Sequence, residues 1–199
     1  MIREQFIGKN PSRFQLNPFV KAFIVSEGFV WSAYNFIIPI IAIFVVKNIP
    51  GGTIEIAAFA FSTYLISRVL AELTTSRYLN GAGDKFKLKF IFSGLILLSI
   101  SYIVFSLLNS IEQLFLAYIF AGTGMGITAP AKYSLFSTHL DKGKEPAEWS
   151  MYDAFTFIGM ALATSLGGFV AAQYGFPVLF IMAAVINTLS IIPYILYIR

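Results

Sequence analysis

The stretch TIEIAAFAFSTYLISRVLAELTTSRYL, Thr53–Leu79, decides how the rest of the chain is read. A bilayer-crossing helix takes about 20 mostly apolar residues, and this run is long enough. Within it, LISRVLAE at 65–72 places Arg68 and Glu72 where lipid is expected. A charge at that depth is expensive, so it is rarely idle. Either the run is not in a membrane, or the two charges have work there.

Composition decides for the membrane. Of 199 residues, 57% are hydrophobic and 12% charged, against roughly 25% charged in soluble domains. Mean hydropathy is +0.76. With no cysteine and a single histidine, His139, the chain lacks the material for a disulfide framework, a zinc site or a Ser-His-Asp triad. No metal site and no cofactor are expected, and no enzymatic activity. His139 falls with Asp141 and Glu145 in a short link, where solvated side chains are expected. The net charge of +4 comes from scattered basic residues, which fits cytoplasmic loops and argues against nucleic acid.

Working outward from Thr53–Leu79, five more runs qualify as spans. The six are 19–46, 53–79, 86–108, 112–138, 147–173 and 176–198, numbered spans 1 to 6 below. Outer-membrane strands would instead show alternating segments of about ten residues. Turn chemistry separates the runs: Asn48–Gly52, Asn80–Asp84, Asn109-Ser110, Asp141–Pro146 and Tyr174–Pro177. The links are short, so successive helices are antiparallel neighbours in one all-α domain. Residues 1–18 form an arm mixing Phe, Ile and Leu with Arg3, Lys9 and Arg13; it either lies on the membrane surface or is a plain terminus.

Lys85, Lys87 and Lys89 crowd the link between spans 2 and 3, and Lys142 and Lys144 that between spans 4 and 5. Arg199 ends the chain, and on the opposite side Lys47 stands alone. By the positive-inside rule both termini are cytoplasmic, and a bacterial or archaeal cytoplasmic membrane is the expected location.

The ionisable residues inside the spans are few: Glu27 in span 1, Arg68 and Glu72 in span 2, Lys132 in span 4 and Asp153 in span 5. Spans 3 and 6 have none between their ends. That is a three-plus-three pattern, in which spans 1, 2, 4 and 5 face something polar and spans 3 and 6 face lipid. At 1.5 Å per residue, Glu27 is about 12 Å from the start of its span, and all five lie in the cytoplasmic half. Two readings stand: an ion-pair network that locks helices together, or a polar cavity whose inner end opens and closes. Glu27, Trp31 and Asn35 recur every four residues and form one stripe, suited to a ligand or to packing. Small residues mark close helix contacts: Gly122 and Gly126 in span 4, Gly159, Gly167 and Gly168 in span 5. Pro39 is positioned to kink span 1.

These features resemble the amino-terminal half of a major facilitator superfamily transporter. In that family each half has six spans as two three-helix repeats. The link between spans 2 and 3, NGAGDKFKLK, keeps the family's Asp-Lys pair at Asp84-Lys85 and its basic character, without the usual glycines. Residues 159–168, GMALATSLGG, are similar to the span 5 motif, with Ala163-Thr164 replacing Gly-Pro. Span 4 has Tyr118 where the family has arginine, ahead of Gly122 and Gly124. The resemblance implies half of a major facilitator fold working by alternating access on a small solute, with Glu27, Trp31, Asn35, Arg68, Glu72, Lys132 and Asp153 along the substrate or proton pathway. Six spans give one wall of the cavity. A homodimer of half-transporters would supply the second. The alternatives are a non-transporting membrane partner or accessory subunit, and a fragment of a twelve-span transporter.

Overall fold

The computed structural model describes residues 16–198. Residues 1–15 of the arm, with the surface-lying reading, and Arg199 fall outside them. Six helical segments are long and apolar enough to cross a membrane: Pro18–Asn48, Ile54–Leu79, Asp84–Phe105, Ile111–His139, Glu145–Tyr174 and Phe176–Tyr197. Among the described residues all regular structure is helical. The largest difference from the sequence reading is at span 3, which ends at Phe105 rather than Leu108. Ser106 and Leu107 fold back instead, their N–H groups donating to the carbonyls of Ile103 and Val104.

Local chemistry sets the helix starts. Asn17 accepts the Phe19 N–H at 2.9 Å, with Pro18 opening span 1. Thr53 and Ser110 do the same for Ile56 and Gln113. Span 1 is interrupted at Ile38–Ile40 by a turn of 3₁₀ helix containing Pro39, which has no N–H to continue the α ladder. Span 6 is likewise divided at Ser190, four residues short of Tyr194 and three short of Pro193. The ring of Pro193 crowds the carbonyl of Leu189.

The packing is two-fold in pattern. Span 2 packs most closely on span 4, and span 5 on span 1; span 3 packs on span 4, span 6 on span 1, and spans 3 and 6 on each other. Exchanging 1 with 4, 2 with 5 and 3 with 6 returns the same contacts. Because the exchanged spans run in opposite directions, the triplets are inverted repeats, each giving its second helix to the other's first. Spans 3 and 6 thus form the back of the unit. Their outer faces, with Ile96, Ile100 and Val185, are exposed, but much of span 3 is interior, which corrects the expectation that it simply faces lipid. The most exposed spans are 2 and 5, since each closes an end of the arrangement and leans on one main neighbour.

Glycine makes these contacts possible. A Cβ on Gly122 would strike the Tyr64 carbonyl, one on Gly126 the Arg68 carbonyl, and one on Gly167 the Phe36 carbonyl. Gly159 faces Ser32 of span 1. Gly168 is different: nothing lies within 4 Å of a Cβ there, so within this unit it is not a packing glycine. One residue past Gly167, it is turned by about 100° away from span 1.

A buried amide ties the back together. Asn187 Nδ2 donates to the Leu95 carbonyl at 2.9 Å and to Ser99 Oγ at 2.8 Å. Asn187→Leu keeps the branched shape at a larger volume and deletes both bonds. It is expected to lower stability by about 1 kcal/mol, read as an earlier thermal unfolding midpoint in a fixed detergent.

Candidate functional site

The polar residues of spans 1, 2, 4 and 5 fall into two groups. The first is a buried ion pair between the opening helices of the two triplets. Lys132 Nζ donates to Glu27 Oε1 at 2.6 Å, and the two side chains are 3% and 2% exposed. One turn toward the chain's basic face, Phe23 and Phe136 stack with ring centroids 4.1 Å apart, and Trp149 abuts Phe136 edge-on at 4.7 Å. One turn the other way, Trp31 Nε1 donates to the hydroxyl of Tyr152 at 3.2 Å. Aromatic side chains thus flank the pair a turn away on both sides, and its burial leaves little screening by water. Spans 1 and 4 otherwise touch little.

The second group is half-open. Arg68 Nε is 3.7 Å from Glu72 Oε2, with side chains 23% and 35% exposed. The spacing of four puts both on one face of span 2. Arg68 is also within electrostatic reach of the Tyr64 and Tyr133 phenols, and Tyr133 within reach of Glu27. Tyr133 of span 4 is thus near both the open pair and the buried one.

Arg68 and Glu72 pair with each other, and neither pairs with Glu27, Lys132 or Asp153 among the described residues. Asp153 is exposed on span 5. Its neighbour Tyr152 holds the face toward Trp31, so one residue of helical rotation turns Asp153 away. The stripe on span 1 divides by partner: Glu27 serves span 4, Trp31 serves span 5, and Asn35 Nδ2 donates to its own helix at the Trp31 carbonyl, 3.0 Å. Tyr133 and Tyr152 were not singled out in the sequence. Each adjoins a marked residue, Lys132 or Asp153, and that adjacency was the available signal.

At the basic end, Asp84 Oδ2 lies 3.4 Å from His139 Nε2, and the His139 ring packs on Phe19 at 4.4 Å between centroids. His139 closes the span 4 helix and faces Asp84, instead of sharing a solvated link with Asp141 and Glu145. Asp141 is taken by Lys144 at 2.9 Å, and its N–H donates to Glu148 at 3.0 Å. Lys87 donates to Ser134 at 2.8 Å, while Lys85 is exposed. The Asp-Lys loop is therefore latched to the end of span 4 through Asp84 and Lys87. Among the described residues no cluster of three or more His, Cys, Asp or Glu side chains has a metal-holding arrangement.

The comparisons with known proteins agree with this architecture. The bacillibactin exporter of Bacillus subtilis (strain 168) is 28% identical over 131 residues, covering 64% of this chain and 32% of the exporter. The match therefore covers about a third of the length of that curated relative. The description Major Facilitator Superfamily matches residues 23–199. With that match over most of its length and six helices long and apolar enough to cross a membrane, the chain belongs to the Major Facilitator Superfamily.

Proposed function

We propose that the chain moves a small solute by alternating access, with spans 1, 2, 4 and 5 forming one wall of the pathway. The observation that carries this reading is the sealed Glu27–Lys132 pair at the meeting of the two triplets, beside a half-open Arg68–Glu72 pair on span 2. A gate needs an ion pair with two arrangements. The dry pair is the closed arrangement, and Tyr133, Trp31 and Asn35 lie where its charges would be re-solvated by a substrate or water. Glu27 is the proton carrier in this scheme: protonation of its carboxylate from water releases the Lys132 ammonium, and loss of that proton to water restores the pair. Glu72 and Asp153 line the approach. The exporter relative favours outward movement. By the positive-inside rule the basic face, with Lys85, Lys87, Lys89, Lys142 and Lys144, is cytoplasmic, in a bacterial or archaeal cytoplasmic membrane.

The second wall is supplied by a second copy about a two-fold axis, docking through spans 2 and 5. The test is mass in lipid nanodiscs, followed by solute efflux from proteoliposomes. A dimer that exports in the native form and stops exporting with Glu27→Gln/Arg68→Met supports both parts. Normal transport by that double variant removes the charged cluster from the machinery. A stable monomer without transport favours the second reading, motivated by the match to a third of the exporter: this wall works against helices of another polypeptide, or of a longer version of this one.

A further inference from the structure

Away from the charged wall, a groove of ≈ 620 Å³ runs between spans 2, 3 and 4. Its sides are Leu70, Thr74 and Tyr78 of span 2, Phe90 of span 3, and Ile119 and Ile127 of span 4. These span 2 residues occupy a different flank of the helix from Arg68 and Glu72. Along span 2 the groove reaches from Ser67 to Tyr78, roughly 16 Å at the helical rise. That matches one leaflet, half of a hydrocarbon core about 30 Å thick. The hydroxyl of Thr74 already donates to the Leu70 carbonyl at 2.7 Å, so that donor is satisfied within the helix, and Ser67, Thr75 and Thr123 bear the other aliphatic hydroxyls along an otherwise largely apolar lining.

The mouth of the groove has the opposite character. Tyr78 is in the last turn of span 2 and Phe90 is near the start of span 3, so the groove opens where the link between them carries its cations. Arg77, Lys85 and Lys89 are all exposed there. The one acid of that link, Asp84, faces His139. An apolar slot one leaflet long, ending at three exposed cations, matches a molecule with a hydrocarbon tail and an anionic head.

We propose that this groove is a binding site for one anionic phospholipid, with an acyl chain along span 2 and its phosphate on Arg77, Lys85 and Lys89. Basic residues near the headgroups favour an anionic lipid, and three partly solvated ones give a preference of about tenfold over a zwitterionic lipid of the same chain length. The site does not rest on the transport reading, and it coexists with a second copy only if that copy docks on the Arg68 and Glu72 flank of span 2.

The experiment is native mass spectrometry of the purified chain in detergent, titrated with phosphatidylglycerol and, separately, phosphatidylcholine. The expected result is one phosphatidylglycerol retained at concentrations about tenfold below those for phosphatidylcholine. Arg77→Gln/Lys85→Gln/Lys89→Gln should abolish the preference. Thr74→Trp, which fills the groove with the cations intact, should abolish retention. Equal retention of both lipids, or a preference that survives the triple substitution, overturns the proposal. So does a chain that binds no lipid because a second copy occupies the groove, seen as a doubled mass. The triple substitution is on exposed residues, so the test stands even if Thr74→Trp does not fold.

Discussion

Lys132→Met is expected to destabilise the protein by about 3–5 kcal/mol, because it leaves the Glu27 carboxylate buried without its partner. The pair is almost wholly enclosed, and the stacked Phe23 and Phe136 rings offer no donor. The double variant Glu27→Gln/Lys132→Met removes both charges and is expected to recover most of the loss, since neutral replacements of buried pairs are often well tolerated. Thermal unfolding in one detergent reads both. The double variant should be folded and inactive in efflux, which separates the structural role of the pair from its role in the gate. A single variant as stable as the native chain would mean that water or another cation reaches Glu27, and the sealed arrangement would be wrong.

Much of this was legible in the sequence, for reasons that differ by feature. Six spans follow from length and hydropathy, and the links from Asn, Gly and Pro. The triplet pattern follows from which spans carry charge. Glu27 and Lys132 could be marked as buried candidates because a membrane span gives them no water. Their pairing with each other could not be read, since it depends on how closely spans 1 and 4 approach, 105 residues apart in the chain. Arg68 and Glu72 illustrate the reverse: their spacing of four already contained the local pair. Asp153 was marked for its charge, yet the side chain facing span 1 belongs to Tyr152. Helix rotation, fixed by the glycine contacts, decides between neighbours one residue apart.

The strongest expression of that rule is at Gly167 and Gly168, where the same substitution is expected to have opposite effects. A leucine at 167 drives its Cβ into the Phe36 carbonyl. That is backbone, which cannot swing aside, so spans 5 and 1 must part. Overpacking of this kind costs about 1–3 kcal/mol, and here it also dissolves the main contact that span 5 makes with the rest of the unit. Gly167→Leu should therefore unfold early or fail to accumulate. At 168 nothing lies within 4 Å, and replacing a mid-helix glycine with leucine removes a helix penalty of about 0.8–1 kcal/mol. Gly168→Leu should be at least as stable as the native chain as an isolated unit. Its side chain points out from span 5, the helix placed at one end of the arrangement, where a second wall would dock. If two copies meet there, Gly168→Leu will keep its unfolding midpoint and lose its dimer in nanodiscs. If it keeps both, span 5 does not use this face, and the docking surface must be sought along span 2.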